Sequence, residues 1–135
     1  MSTMPSISQS WGGIAMDVVW SIARAAPTAV VVDSWWFKPR DLQFARVGIE
    51  RTRATRAVEV WCDVPAEVAK ARYAGRRRAA YYQDQQHLAN DWDLWVAQAA
   101  PLGLAPTVSV DTTQPVDCVE LAERIELAAD SQVMW

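Results

Sequence analysis

The chain of 135 residues lacks the features that would place it in a membrane or an export pathway. No apolar run approaches the roughly 20 residues that a membrane-spanning helix needs. Residues 1–9 contain neither a basic nor an apolar stretch, so they do not have the pattern of a signal peptide. The two cysteines, Cys62 and Cys118, lie far apart and have no other Cys or His at the spacing of metal ligands. These absences predict a reduced, cytoplasmic protein with no membrane segment.

The sequence also has fewer basic than acidic residues. Thirteen Lys and Arg against 16 Asp and Glu give a net charge of −3, so we expect no nucleic acid as a partner of the whole chain. An apolar content of 51% and a charged content of 21% are typical of a globular protein long enough for one core. The sequence predicts a loose lead-in over residues 1–13 and a single domain over residues 14–135.

Helix and strand patterns alternate along that domain. The apolar, β-branched run Ala29–Asp33 is typical of a strand buried inside a parallel sheet. Two further strands are predicted over 57–62 and 107–110, and helical patterns precede or follow each strand. This order predicts an α/β fold with a small parallel sheet of about three strands and flanking helices.

Asp33, at the carboxyl end of the first predicted strand, has two interpretations. Open α/β sheets bind ligands at this edge, so the carboxylate could lie beside the magnesium ion of a phosphotransferase. It could instead cap the helix that begins near Pro39.

The one concentrated positive patch lies at the end of a predicted helix and consists of Arg72, Arg76, Arg77 and Arg78. A helix dipole favours cations there without any ligand, and this alternative stays open. Residues 79–90 have no clear periodicity and are predicted to form a mobile flap, in a lid region of about 72–92.

The order of these motifs resembles the C-terminal half of small P-loop kinases, namely the zeta-toxin-like and polynucleotide-kinase-like predicted kinases of the AAA type. The resemblance covers residues 14–129 and rests on Asp33 and on Pro65-Ala66-Glu67-Val68 before the arginine patch. It continues with Val110-Asp111-Thr112 and Pro115-Val116-Asp117 before the last helix. It implies a partial P-loop kinase-like fold and an ATP-dependent, Mg²⁺-dependent kinase acting on a small hydroxyl-bearing molecule.

Catalytic and acceptor-side roles follow from the resemblance. Asp33 would lie near the magnesium ion and the γ-phosphate. Arg72 and Arg76 would be lid arginines that stabilise charge during phosphoryl transfer. Lys38 and Arg40 would face the acceptor.

Nucleotide-side roles follow in the same way. Arg77 and Arg78 would assist in binding ATP phosphates. Asp111, Thr112 and Thr113 would lie near the adenine, although a plain turn is the alternative for them.

The chain contains no G-x-x-x-x-G-K-S/T motif, so the phosphate cradle of a P-loop is absent. We therefore expect a partial or degenerate kinase that is inactive alone. In the family, the P-loop strand lies between the strands that correspond to Ala29–Asp33 and 57–62, and its loss leaves unpaired edges that recruit other chains. A truncated reading frame, a second chain that supplies the P-loop, and a remodelled domain are the open explanations.

An alternative function is a non-catalytic interaction module, such as a homodimer, that uses the Trp-rich surface around Trp35, Trp36, Trp92 and Trp95. A nucleotide- or anion-binding protein acting through Arg76–Arg78 is a third possibility.

Overall fold

The computed structural model describes residues 7–77 and 83–131, with side chains from residue 13 onward. These residues form six helices and two strands. In chain order they are α1 (Ile7–Ala25), α2 (Lys38–Thr52), β1 (Glu59–Asp63), α3 (Ala66–Gly75), α4 (Asp84–Asn90), α5 (Trp92–Gln98), β2 (Thr107–Asp111) and α6 (Cys118–Asp130).

The two strands β1 and β2 pair in parallel, with Glu59 opposite Thr107 and Asp63 opposite Asp111. They are the second and third strands that the sequence predicts. Parallel neighbours need a crossover connection, and here α3, α4 and α5 provide it. The predicted α/β class with a small parallel sheet and flanking helices is therefore confirmed.

The predicted first strand, Ala29–Asp33, is wrong, and the described residues contain two strands rather than about three. The segment lies outside any helix or strand, and Val31 is 93% exposed. A strand is held by ladder hydrogen bonds to a neighbour. No backbone hydrogen bond joins residues 29–33 to another segment of the described chain. The β-branched pattern is present, but the neighbour that it requires is not among these residues.

The chain divides into two compact units where the sequence predicts a single domain over 14–135. The first unit comprises the described part of 1–36 together with 41–54. The second comprises 37–40 and the described part of 55–135. Helix α1 begins at Ile7, inside the segment predicted as a loose lead-in.

The first unit is centred on Trp20, which is 4% exposed and stacks on Trp36 with ring centroids 5.7 Å apart. Its indole lies directly on Gly48 of α2, beside the buried Ala45. The indole Nε1–H has no hydrogen-bond partner among the described residues. Only a residue without a side chain allows this close approach between the ring and the helix backbone.

The core of the second unit lies under one face of the sheet. Val108 and Val110 of β2 are buried, whereas the residues that alternate with them are exposed. Leu102 and Phe37 are also buried in this unit. Helix α6 packs on β2, and Asp117 caps it by accepting hydrogen bonds from the backbone N–H groups of Val119 and Glu120, both at 3.1 Å. The Asp117 carboxylate thereby satisfies two backbone N–H groups that have no partner within the first turn of the helix.

No helix within residues 7–77 and 83–131 is both long enough and apolar enough to cross a membrane.

Candidate nucleotide site at the carboxyl ends of the strands

The carboxyl ends of β1 and β2 bring two parts of the sequence together. Asp63 and Asp111 are register partners at this edge. Just beyond it, Thr112 donates two hydrogen bonds to the backbone carbonyl of Asp63, from its N–H at 2.9 Å and from its hydroxyl at 3.1 Å. The loop after β2 is therefore fixed against the end of β1, which is the edge where open α/β sheets bind ligands.

The Asp111 carboxylate folds this loop back on itself. It accepts hydrogen bonds from the Thr113 hydroxyl at 2.6 Å and from the Thr113 backbone N–H at 2.9 Å. These two hydrogen bonds, the hydroxyl one first, hold the pKa of Asp111 below its ordinary value. The side chains of Asp111 and Thr113 thus stabilise a turn, which is the alternative given above for these residues.

Arg72 connects helix α3 to the same loop. Its guanidinium Nη2 donates to the backbone carbonyl of Thr112 at 2.8 Å, across 40 residues of sequence. The side chain is exposed. A predicted lid arginine and a predicted nucleotide loop are therefore in direct contact.

Arg76, the second predicted lid arginine, is engaged by its own chain. Its guanidinium carbon lies 4.1 Å from the centroid of the Tyr73 ring, and its Nε lies 3.5 Å from Asp84 Oδ2. The Tyr73 hydroxyl donates to Asp84 Oδ1 at 3.0 Å. Burial, and then the hydrogen bond to Asp84, raise the pKa of Tyr73 above its ordinary value. Arg76 thereby ties the end of α3 to the start of α4.

An aromatic cluster lies in and just beyond the predicted lid region of about 72–92. Tyr73 contacts Trp92 and Trp95 with ring centroids 5.7 and 6.1 Å apart. His87 lies 5.1 Å from Trp95 and pairs through Nδ1 with Asp91 Oδ2 at 2.7 Å. His87 and Asp91 are four residues apart, a spacing at which side chains contact each other along one face of a helix, so this pair is a sequence signal for α4. Residues 84–90 of the predicted flap form helix α4, and His87 is half-buried.

The remaining predicted residues are placed as follows. Arg77 is exposed, Lys38 is half-buried and Arg40 is exposed in the first turn of α2. Arg78 lies outside the described residues. Asp33 is exposed in the first unit, whereas Lys38, Arg40 and Arg77 belong to the second.

The capping interpretation of Asp33 is wrong. Helix α2 begins at Lys38, so the residue in the N-cap position is Phe37 and not Asp33.

Glu59 is a residue that sequence reasoning missed. Its carboxylate accepts hydrogen bonds from the backbone N–H groups of Leu102 at 2.8 Å and Gly103 at 3.1 Å. Gly103 has a φ of 74°, a conformation that glycine adopts without strain. The carboxylate thereby fixes the loop that leads into β2. The contact spans 43 residues, so no local pattern could have indicated it.

Magnesium and the phosphates of ATP can be tested against these residues. Within the described ranges, no three His, Cys, Asp or Glu side chains are grouped as metal ligands. Asp33 is a lone carboxylate in an exposed segment, and the sequence supplies no Lys-Ser or Lys-Thr pair after a glycine loop. The described residues therefore do not complete a phosphate and magnesium site by themselves, so we derive no step through either group. The loop 111–113 and Arg72 lie together at the carboxyl end of the sheet, the edge where open α/β sheets bind ligands.

Comparisons with family models, with curated proteins and with solved structures find no match to this chain.

Proposed function

We propose that this chain is the lid-and-base half of an ATP-dependent small-molecule kinase, and that it binds a nucleotide weakly and does not transfer phosphate unaided. The base of the nucleotide lies against the loop 111–113, and Arg72 covers the phosphate side. A P-loop on a second chain completes the active centre. Asp33, Arg76, Arg77 and the acceptor-side cations remain secondary parts of this proposal.

The contact between Arg72 and Thr112 carries the proposal. An arginine at the end of a crossover helix needs no long-range partner if it only complements the helix dipole. Here the guanidinium reaches across to the loop beyond the last strand. Guanidinium is the side chain best shaped to bind phosphate oxygens, and phosphoryl transfer depends chiefly on positioning and electrostatic stabilisation.

The unpaired segment Ala29–Asp33 favours a second chain as the source of the P-loop. Its β-branched residues are exposed or half-exposed, and within the described chain it has no strand neighbour. Exposed strand-forming segments are completed readily by a strand from another chain. A strand from a partner chain would supply the neighbour that this segment lacks.

A titration of the isotope-labelled chain with Mg-ATP, followed by NMR amide shifts, tests this proposal. We expect shifts concentrated at residues 111–113 and at the end of α3, and we expect Arg72→Ala to remove them. No shifts at millimolar Mg-ATP, or shifts located only on α1, would contradict the proposal.

Arg124→Ala is the matched control. Arg124 Nη2 donates to the backbone carbonyl of Ser109 at 2.8 Å, the same distance and donor type as Arg72 to Thr112. Its acceptor lies within β2 rather than beyond its carboxyl end. Both variants lose one arginine-to-carbonyl hydrogen bond. Only Arg72→Ala is expected to lose the response to Mg-ATP, whereas equal loss in both would indicate a structural role.

An interaction module remains the second candidate function. It is favoured by large apolar side chains that are exposed in the first unit, including Val31 and Trp35. This candidate would be supported if the chain showed no amide shifts with Mg-ATP but formed a stable complex with itself or with another protein.

A further inference from the structure

The two-stranded sheet has one edge whose backbone groups are unpaired in the described part of the chain. Toward β2, Glu59 donates a hydrogen bond from its N–H and Asp63 accepts one at its carbonyl, each at 2.9 Å. Backbone groups alternate in direction along a strand, so the N–H and C=O groups of Val60 and Cys62 point away from β2. None of these outward groups has a hydrogen-bond partner among the described residues. We call the outward backbone groups of Val60 and Cys62 the β1 edge.

The opposite edge of the sheet, on β2, is protected. Helix α6 packs on β2, and its Arg124 Nη2 donates to the backbone carbonyl of Ser109 at 2.8 Å. A covering helix and a charged side chain both protect a sheet edge against the addition of another strand. No helix of the described chain packs on β1 as α6 does on β2. Strand addition to the described sheet is therefore expected at the β1 edge.

The apolar face of the sheet is incomplete beside the β1 edge. Register partners in a parallel sheet lie on the same face, so Val60 shares the face of the buried Val108. In the same way, Cys62 shares the face of the buried Val110. Val60 is nevertheless 38% exposed, and Cys62 is exposed as well. A third strand at this edge would extend the buried face over both residues, and a sheet this small gains stability from such a strand.

The same chain carries a strand-forming segment that has no strand neighbour. Ala29–Asp33 lies outside any helix or strand, and no described residue forms a backbone hydrogen bond with it. Its continuous apolar run is typical of a strand inside a parallel sheet. We propose that Ala29–Asp33 of one copy of this chain adds as a parallel strand to the β1 edge of a second copy, which returns the same contact.

A second copy satisfies both unpaired parts of the chain, whereas a different partner would satisfy one. A strand from another protein could pair with the β1 edge, but Ala29–Asp33 would then stay without a neighbour. A reciprocal exchange pairs both and closes around a two-fold axis, as an isologous dimer does. Main-chain hydrogen bonds supply the affinity in strand addition, so this interface does not need a large apolar surface. The proposal does not rest on the proposed function, because no nucleotide takes part in the exchange.

A register that aligns the ends of the two segments gives the exchanged strand one apolar contact and one unfavourable contact. It places Val32 beside Cys62, which continues the apolar face of the sheet. It also places Asp33 beside Asp63, and like charges opposite each other weaken a strand pair. Added salt screens these carboxylates, so the dissociation constant of the dimer is expected to fall as salt is raised.

Sedimentation equilibrium of the wild type and of Val60→Pro tests the proposal. Proline removes an N–H that points away from β2, so the ladder between β1 and β2 keeps its hydrogen bonds. We expect a reversible monomer–dimer equilibrium in the wild type and a dissociation constant raised at least about tenfold in Val60→Pro. Val60→Thr is the matched control, because it keeps both the N–H and the β-branched shape, and it should dimerise as the wild type does. A wild type that stays monomeric at millimolar concentration, or equal weakening by both variants, would overturn the proposal.

Disulfide formation gives a second measurement that does not depend on the stability of Val60→Pro. In a chain that carries Cys118→Ser, Val32→Cys places a new thiol beside Cys62 of the other copy. Neighbouring strands lie about 4.8 Å apart, a separation that a disulfide can span. We expect a covalent dimer with Val32→Cys and little with Val31→Cys, because successive side chains of a strand point to opposite faces. A disulfide within one chain, or a dimer in which Val32→Cys does not react with Cys62, would overturn the proposal.

Discussion

Substituting Gly48 by alanine tests how tightly the core of the first unit is packed. A Cβ at this position would lie 2.6 Å from Cδ2 of Trp20 and would also overlap Cε2 and Nε1 of the same ring. Trp20 is buried and stacked on Trp36, so its ring cannot move without disturbing a second tryptophan. Overpacking of this kind costs about 1–3 kcal/mol, whereas alanine in a helix interior gains only about 1 kcal/mol over glycine. The stacked ring places the cost at the upper end of that range, so we expect Gly48→Ala to lower the free energy of unfolding by about 2 kcal/mol.

Urea unfolding followed by tryptophan fluorescence and by far-UV circular dichroism measures this change. Gly13→Ala is the control, because Gly13 lies in α1 with open space within 4 Å of the position that a Cβ would take, and it should gain stability from helix propensity. Trp20→Leu removes the fused ring, so the cost of Gly48→Ala should shrink in that background. A double-mutant cycle then gives the coupling between the two residues.

A Gly48→Ala variant as stable as the wild type would refute the reasoning. So would an unchanged cost of Gly48→Ala in the Trp20→Leu background, because the cost would then not arise from the indole.

Two further predictions concern carboxylates of the second unit. Glu59→Ala should lower the free energy of unfolding by about 2 kcal/mol, because two backbone N–H groups at Leu102 and Gly103 lose a charged acceptor; urea unfolding measures it. Thr113→Val should raise the pKa of Asp111, because it removes the hydroxyl hydrogen bond that contributes most to lowering that pKa. Since the folded-state pKa of Asp111 is lowered, the stability it provides is present above the unfolded pKa and is lost as the pH falls through the folded pKa. In Thr113→Val, the stability that Asp111 provides should therefore be lost at a higher pH than in the wild type. An NMR titration of the Asp111 carboxyl group in both proteins measures the change in its pKa.

Controls for both predictions lie nearby. Glu67→Ala changes an exposed glutamate in the first turn of α3 and should cost little. Thr107→Val changes an exposed threonine at the start of β2 and should leave the pKa of Asp111 unchanged. A Glu59→Ala variant no less stable than Glu67→Ala would refute the first prediction. An unchanged pKa of Asp111 in Thr113→Val would refute the second.

The second half of the fold could be predicted from local sequence patterns. The strand β2 alternates apolar and polar residues and ends at Asp111, and Asp117 with Glu120 marks the start of α6. These signals are short-range, so they can be read without knowledge of distant residues. The helical patterns between the strands predicted that the sheet is parallel, whereas the direct pairing of β1 with β2 is seen only in the fold.

Whether Ala29–Asp33 forms a strand could not be decided from the sequence of that segment alone. Its β-branched composition indicates a strand, but pairing depends on a neighbour elsewhere in space. The described chain provides none, and the segment lies outside any helix or strand, with Val31 93% exposed. The composition of a segment indicates that it can form a strand, whereas the presence of a neighbouring strand in the fold determines whether it does.

The candidate site was predictable in part. Arg72 and Thr112 were each identified from the sequence, but their contact spans 40 residues and required the fold. Arg76 was identified as a cation, yet its cation–π contact with Tyr73 and its pairing with Asp84 were not. These contacts depend on where α4 begins, and the sequence around residue 84 has no clear apolar periodicity.

The most direct test of the central claim compares ATP binding with ATP turnover in one sample of the pure chain. The account predicts amide shifts at residues 111–113 with Mg-ATP and no release of phosphate above a buffer blank. ATP turnover by the pure chain that Asp33→Ala abolishes would contradict it, because this chain would then contain a complete phosphate site without a P-loop.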